Sequence, residues 1–291
     1  MRIYYIGKFK EEHNTENYVT AAFEELGHKV YQYKHNKKET LAQIFNRIQE
    51  FGADTVLFSK AEFPEAKKLI DLCYAKGILT VCWQFDLFIG YRSKLPEQFW
   101  SDFLFTTDGG HQREFIKLRC NHRLLRQGIH KPEAIKIDST EYKYDVAFVG
   151  SCTHVSHESR RNLLKFLQQR KSFIHYQTMR GLKLNEALNQ VKIVVGDSYP
   201  SPNYWSNRIY EITGRGGFFL HPFTEGLDSE FEDGEHYVGY QRGNYKQLCD
   251  RIDLLLREDS ARERIRQAGF EKTRNCYTYT HRVQELLSII S

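Results

Sequence analysis

Along the first half of the chain, short apolar runs alternate with longer stretches in which apolar residues recur every three or four positions. The runs are "RIYYIG" (2–7), "HKVYQY" (28–33), "DTVLFSK" (54–60), "ILTVCWQF" (78–85) and "DFLFTTD" (102–108). Their length and their β-branched and aromatic content predict five strands. The periodic stretches predict helices over 15–26, 39–51 and 64–76. Each is followed by a glycine (Gly27, Gly52, Gly77), the residue best suited to the left-handed turn that ends a helix. Strands alternating with helices predict parallel β-α-β units.

Residues 128–145, "GIHKPEAIKIDSTEYKYD", are polar, show no clear long helix and read as a link. A second alternating series follows: "YDVAFVGS" (144–151), a helix over 158–170, "SFIHYQ" (172–177), a helix near 183–190, "KIVVGDS" (192–198), "GFFLHP" (217–222) and "HYVGY" (236–240). Residues 244–290 read as helical throughout, with a break near Thr278. The expected architecture is α/β, two Rossmann-like domains facing each other across a cleft. The first covers 1–135 and the second 144–275, and a C-terminal helix (276–291) packs back toward the first.

Composition narrows this picture only a little. Hydrophobic residues make up 41% and charged residues 27% of 291, an ordinary globular balance that excludes a disordered chain. The formal charge of +5 suits an anionic small ligand and is compatible with a solvated surface. The 20 Phe and 18 Tyr supply buried area and flat faces for sugars or bases. Six cysteines stand far apart without a CxxC pair, several among apolar neighbours, which argues for a reducing compartment and against zinc. The start "MRIYYIGKFK" lacks the pattern of a signal peptide, and no apolar run nears the ~20 residues of a membrane span. A cytoplasmic location is expected.

Most of the polar chemistry gathers in "SNRIYEITGRGGFFL" (206–220), directly before a buried strand. Ser206 suits the N-cap of a helix running to about Thr213. Arg208, Glu211 and Arg215 fall on one helix face, and Ile209 and Ile212 on another. Gly214 and the pair Gly216–Gly217 end the helix and allow close backbone approach. A Glu at the carboxyl end of a parallel strand can accept two ribose hydroxyls. An Arg one turn earlier, with the amides of the helix start, can hold a diphosphate. The alternative is a surface helix on which Arg208 and Glu211 pair with each other.

The segment from Lys192 to Tyr240 resembles the donor-binding half of GT-B glycosyltransferases, in the group-1-like branch that includes the spore-protein glycosyltransferase-like family. The resemblance rests on the "N-R-x-x-E" run Asn207–Glu211, the turn Gly216–Leu220, and the acidic loop Phe231–Glu235. It also rests on Phe148–Ser151 with a following Arg160, and on a terminal run from Tyr277 to Arg282. It covers 144–290 well and the first half only in outline. It implies a glycosyltransferase using a nucleotide-sugar, a UDP-sugar first among candidates, as co-substrate and with no other cofactor. By the same resemblance Glu211 binds the donor ribose, Arg208 neutralises the diphosphate with Asn207 beside it, and Gly150 and Ser151 line the phosphates with backbone amides. Gly216 and Gly217 turn the chain under the donor, and Thr224, Glu225 and Gly226 approach the sugar. Retaining relatives often carry a second Glu seven positions earlier. Here Tyr204 stands there, which leaves the stereochemistry open.

Such enzymes generally work without a bound metal, and no isolated DxD stands on a strand end. "HVSH" (154–157) could be two metal ligands, but no third is near in sequence. For the acceptor, a glycan or envelope hydroxyl, two bases present themselves: Asp86 after the fourth strand, otherwise an N-cap or a partner of Arg92, and His111, which follows Asp108 in "TTDGGHQ". Gly7 and Lys8, at the first strand end, are candidates for the donor phosphates. Two other functions compete. A phage-type enzyme glycosylating hydroxymethylated bases in DNA would use the basic helical patch 113–126, with four Arg and one Lys. A non-catalytic nucleotide-sugar-binding protein is the other.

Overall fold

The computed structural model describes residues 1–34, 39–59, 63, 65–87, 95–137, 141–153 and 158–291. The chain divides into two compact units, Met1–Gln127 with Tyr279–Ser291, and Gly128–Thr278.

The first unit is built on six parallel strands, β1 (Arg2–Gly7), β2 (Lys29–Lys34), β3 (Thr55–Phe58), β4 (Leu79–Gln84), β5 (Phe103–Thr106) and β6 (His122–Leu124), in the order β2-β1-β3-β4-β5-β6. Side chains alternate between the two faces of a strand, so one run of apolar residues feeds two cores. Tyr4, Ile6, Val56, Phe58, Cys82 and Leu104 enter the core under α2 (Leu41–Phe51) and α3 (Ala66–Tyr74). Ile3, Tyr5, Leu57, Val81, Trp83 and Phe105 enter the other, under α1 (Thr15–Glu25) and the C-terminal helix α10 (Tyr279–Ile290). In α10, Tyr279, Val283 and Leu286 follow one another at helical spacing and are all buried. Arg282 Nε donates to Gln127 O at 3.0 Å and Thr280 Oγ1 to Glu25 Oε2 at 2.7 Å, which fix the helix against this unit.

Gly27, Gly52 and Gly77 all take positive φ at the ends of the first three helices, as their placement predicts. Strand ends differ from expectation by one or two residues. The basic stretch 113–126 is a larger departure. It is no continuous helix but a short α4 (Gln112–Lys117) followed by β6, the sixth strand. Phe115 and Cys120 face inward, and His122 Nε2 lies 2.8 Å from Thr106 Oγ1. Arg126 is buried and donates to Thr107 O, so it is no part of a cationic face.

The second unit also has an all-parallel sheet: β7 (Tyr144–Val149), β8 (Phe173–Tyr176), β9 (Val191–Val195), β10 (Phe219–Pro222) and β11 (Val238–Tyr240), in the order β11-β10-β9-β7-β8. One face carries Val146, Phe148, Ile193, Val195 and Leu220 against α5 (Glu158–Leu167) and α8 (Tyr245–Leu255). The other carries Ala147, Val149, Val194 and Phe219 against α6 (Leu182–Asn189) and α7 (Arg208–Thr213). The helical tail breaks twice, after α8 and again after α9 (Asp259–Cys276), the second break lying at Thr278 as expected.

Residues 128–137, read from the sequence as part of a link, make buried contacts inside this second unit. Ile129 N donates to Tyr277 O at 3.0 Å, and Asn185 Nδ2 donates to the carbonyls of Glu133 (2.9 Å) and Ile135 (2.7 Å). Glu133 itself is 4% exposed.

Candidate functional site

Parallel strands end on the same side of their sheet, so the segments after β7, β9 and β11 converge. Three arginines and one carboxylate meet there. Asp197, two residues beyond β9, is buried. Its Oδ2 accepts from Arg160 Nε at 2.9 Å, and its Oδ1 lies 2.6 Å from Arg208 Nη2. Burial alone would raise the Asp197 carboxyl, but Arg208 and then Arg160 outweigh it and hold it below the usual range. Arg208 Nη2 also donates to Asp197 O at 3.0 Å, and Arg160 Nη1 to Ser151 O. Both guanidiniums lie over the Phe148 ring, at 5.5 and 5.9 Å. Arg242 donates to Ser198 O from the loop after β11.

Among the described residues the cluster brings three buried or half-buried cations to one carboxylate. Desolvation is the main force lowering the Arg208 and Arg242 pKa values. Arg208 Nε has no hydrogen-bond partner among the described residues. An uncompensated positive excess in a place sheltered from water is costly unless a ligand neutralises it. The arrangement suits an anion.

Gly150 makes the cluster possible. At φ 128° it takes a conformation that side chains disfavour, and a Cβ there would sit 2.8 Å from Arg208 Nη1. The expected role of its amide does not hold, because Gly150 N donates to Tyr176 O at 3.0 Å. Ser151 uses its hydroxyl on Thr153 (2.9 Å) and its carbonyl on Arg160. The helix-start amides are also engaged. Arg208 N donates to Ser206 Oγ at 3.2 Å and Ile209 N to Ser206 O at 3.4 Å. The formal positive charge at this site comes from the side chains of Arg160, Arg208 and Arg242.

Arg208 and Glu211 do not pair with each other, contrary to the alternative reading of the sequence. Arg208 turns to Asp197, whereas Glu211 Oε2 accepts from Arg215 Nη1 and Glu211 Oε1 from Asn207 Nδ2 at 3.2 Å. Gly216 and Gly217 turn the chain from α7 into β10, and a Cβ on Gly216 would meet Lys136 Cγ at 2.6 Å. Thr224 Oγ1 donates to Pro222 O at 3.1 Å, Glu225 is exposed and its carbonyl accepts from Asn203 N, and Gly226 backs onto Asn203. Asp197 and Arg242 are the members that sequence reading passed over. Each carried the same faint signal, a charge two residues past a buried apolar strand.

The remaining candidates belong to the first unit. Gly7 ends β1 against Glu16 and Ser59, and Lys8 N donates to Glu16 Oε1 at 3.4 Å. Asp86 is exposed after β4. His111 immediately precedes α4, and its Nδ1 lies 2.8 Å from Oδ2 of Asp108, whose Oδ1 accepts the His111 amide at 3.2 Å. Asp108 is fully buried, so His111 is held in place by a carboxylate that cannot swing away. His154 and His157 lie outside the described residues. Among the described residues no group of three potential metal ligands occurs, and no helix is long and apolar enough to cross a membrane.

The family model described as glycosyl transferase-like matches residues 136–288. The chain belongs to this glycosyl transferase-like family. Its fold agrees with solved glycosyltransferases. A glycosyltransferase from Rickettsia africae superposes with a TM-score of 0.69 at 10% identity, over 99% of this chain and 97% of that one. HepE of Anabaena, solved with UDP, gives 0.70 at 9% identity over 100% and 99%. The sucrose-phosphate synthase of Thermosynechococcus elongatus gives 0.64 at 9% identity over 100% and 98%. These likenesses establish the GT-B fold, two Rossmann-like parallel-sheet domains. A search of curated proteins gives no match. The glycosyltransferase assignment thus stands on the family match, and the cluster around Asp197 lies within the matched residues.

Two buried histidines give this glycosyltransferase a defined acid sensitivity. Burial, then the charge of Arg208, pushes His221 down to about 3, and burial, then Arg123, pushes His122 down to about 4. Both are neutral when folded, while the unfolded chain protonates them near pH 6.5. The unfolded state therefore binds more protons between about pH 6.5 and 4. Stability is full above that window and falls within it, by up to about 1.4 kcal/mol per pH unit for each histidine. Each unit holds one of the two, so urea midpoints for both units are expected to drop between pH 7 and pH 5. Unchanged midpoints would contradict the burial of both rings.

Proposed function

We propose that the second unit binds the nucleoside diphosphate end of a nucleotide-sugar and that the enzyme transfers the sugar to an acceptor hydroxyl. The observation that carries this reading is the cation excess of Arg160, Arg208 and Arg242 over Asp197, at the carboxyl ends of β7, β9 and β11. Glu211, four residues along the helix from Asn207, offers the carboxylate that a ribose diol needs. Structures of HepE with UDP and with UDP-glucose make a UDP-sugar the first donor to try.

In this reading Arg208, aided by Arg160, stabilises the charge that develops on the departing diphosphate. Guanidiniums fixed beforehand can do this without a metal, so no further cofactor is proposed. Thr224, Glu225 and Gly226 are proposed to face the sugar, and Gly7 the phosphates. His111 is preferred to Asp86 as base because Asp108 fixes its ring. With Nδ1 held by Asp108, Nε2 takes the proton of the acceptor hydroxyl. The acceptor oxygen then bonds to the anomeric carbon as the bond to the diphosphate oxygen breaks. The acceptor is proposed to be a glycan or envelope component rather than DNA, since the basic stretch 113–126 splits and loses Arg126 to the interior. Six free thiols suit a cytoplasmic setting.

A thermal-shift screen against UDP-, GDP-, CDP- and TDP-sugars tests the donor assignment. One donor class is expected to raise the melting temperature by mass action, and Glu211→Ala to remove most of the shift. No shift with any of them, or an undiminished shift in Glu211→Ala, would refute the assignment.

A further inference from the structure

Glu211 is the end of a buried relay. Arg215 is 2% exposed and stands between two carboxylates. Its Nη1 donates to Glu211 Oε2 and to Glu211 O (3.1 Å), and its Nη2 donates to Glu133 Oε2. Glu133 is itself buried, in the turn Lys131–Glu133, whose carbonyl is held by the buried Asn185. Of the three charged side chains only Glu211 reaches solvent, at 18% exposure against 1% for Arg215 and 5% for Glu133.

We infer that Arg215, backed by Glu133, is a positioning residue that sets the Glu211 carboxylate for two hydroxyl groups of the donor nucleoside. This rests on the reading of Glu211 as the donor's hydroxyl acceptor. A free glutamate side chain loses rotamer entropy when a ligand freezes it. Here the fold has already frozen it, because Arg215 fixes one oxygen and Asn207 the other. A carboxylate offers about four lone-pair directions, and these two contacts leave the rest for a ligand. Glu133 has a separate task. An arginine paired with Glu211 alone would draw the carboxylate's charge inward, whereas a second carboxylate shares that guanidinium. The fork of Arg215 is needed for both bonds, and a lysine ammonium would serve them poorly.

The test compares UDP with 2′,3′-dideoxy-UDP, which lacks both ribose hydroxyls, by calorimetric titration of the full chain. The wild type is expected to prefer UDP by about ten- to a hundredfold, the range for hydrogen bonds to a charged group. Glu211→Gln should compress that preference. The paired variant Arg215→Met/Glu133→Gln, which leaves no lone buried charge, should compress it to about threefold or less with little change in dideoxy-UDP affinity. Arg215→Lys, which keeps the charge, should fall between. A purely structural role would weaken both nucleotides together and leave their ratio unchanged, and that result in the folded paired variant or in Arg215→Lys would overturn the inference. Failure of the underlying reading has a different signature: no UDP preference in the wild type, or an intact preference in Glu211→Gln, whatever Arg215 does.

Discussion

Arg208→Met is expected to weaken binding of a nucleoside diphosphate about ten- to a hundredfold and to destabilise the second unit by about 3 kcal/mol. Methionine keeps much of the aliphatic stem but removes the guanidinium that lies over Phe148, so the charge and its contact with that ring are lost while the residue stays apolar and of similar length. Among the described residues Asp197 then keeps Arg160 as its ion-pair partner, through Nε at 2.9 Å. Because that partner remains, the loss belongs at the low end of the range for breaking a buried ion pair. The ligand loses more, since Arg208 has a nitrogen, Nε, without a partner among the described residues and Gly150 close to its guanidinium. Arg208→Lys should restore part of the affinity, as a point charge without the fork. Titration with UDP and urea unfolding of the same samples separate the two effects. A stability loss with unchanged affinity would make Arg208 a structural residue.

His111→Ala is expected to lower turnover by about 10²- to 10⁴-fold, the usual contribution of a general base, with little change in donor affinity. Asp108→Asn should follow it in direction. The buried carboxylate at 2.8 Å holds the ring and, in the proposed role, would stabilise an imidazolium formed during transfer, and an amide does neither as well. If His111 acts on the acceptor as proposed, by direct displacement, the product is expected to carry the inverted anomeric configuration. Asp86→Asn should leave turnover within a few-fold. Retained configuration together with near-normal turnover in His111→Ala would remove the base from the mechanism.

Much of the fold was legible because burial on both faces of parallel strands leaves continuous apolar runs such as "YDVAFVGS" and "KIVVGDS". The three helix-ending glycines were legible for a local reason, the backbone conformation they permit. What stayed hidden was non-local. "HRL" is too short and too basic to announce β6, and only its pairing with Leu104, Phe105 and Thr106 of β5 makes it a strand. Residues 128–137 look like a link until Asn185 captures two of their carbonyls. At the site, helical spacing correctly put Arg208 and Glu211 near one another but could not name their partners. Arg208 reaches Asp197, 11 residues back, and Arg215 reaches Glu133, 82 residues back. Periodicity reports which residues share a face, and partner choice depends on which charges the fold brings there from distant parts of the chain.

The most direct measurement is release of nucleoside diphosphate from a UDP-sugar by the full chain in the presence of a sugar acceptor, with Glu211→Ala beside it. The account predicts turnover by the wild type, without added metal, and loss of most of it in the variant. Undiminished release by Glu211→Ala, or a wild type that neither binds nor cleaves any nucleotide-sugar, would contradict it.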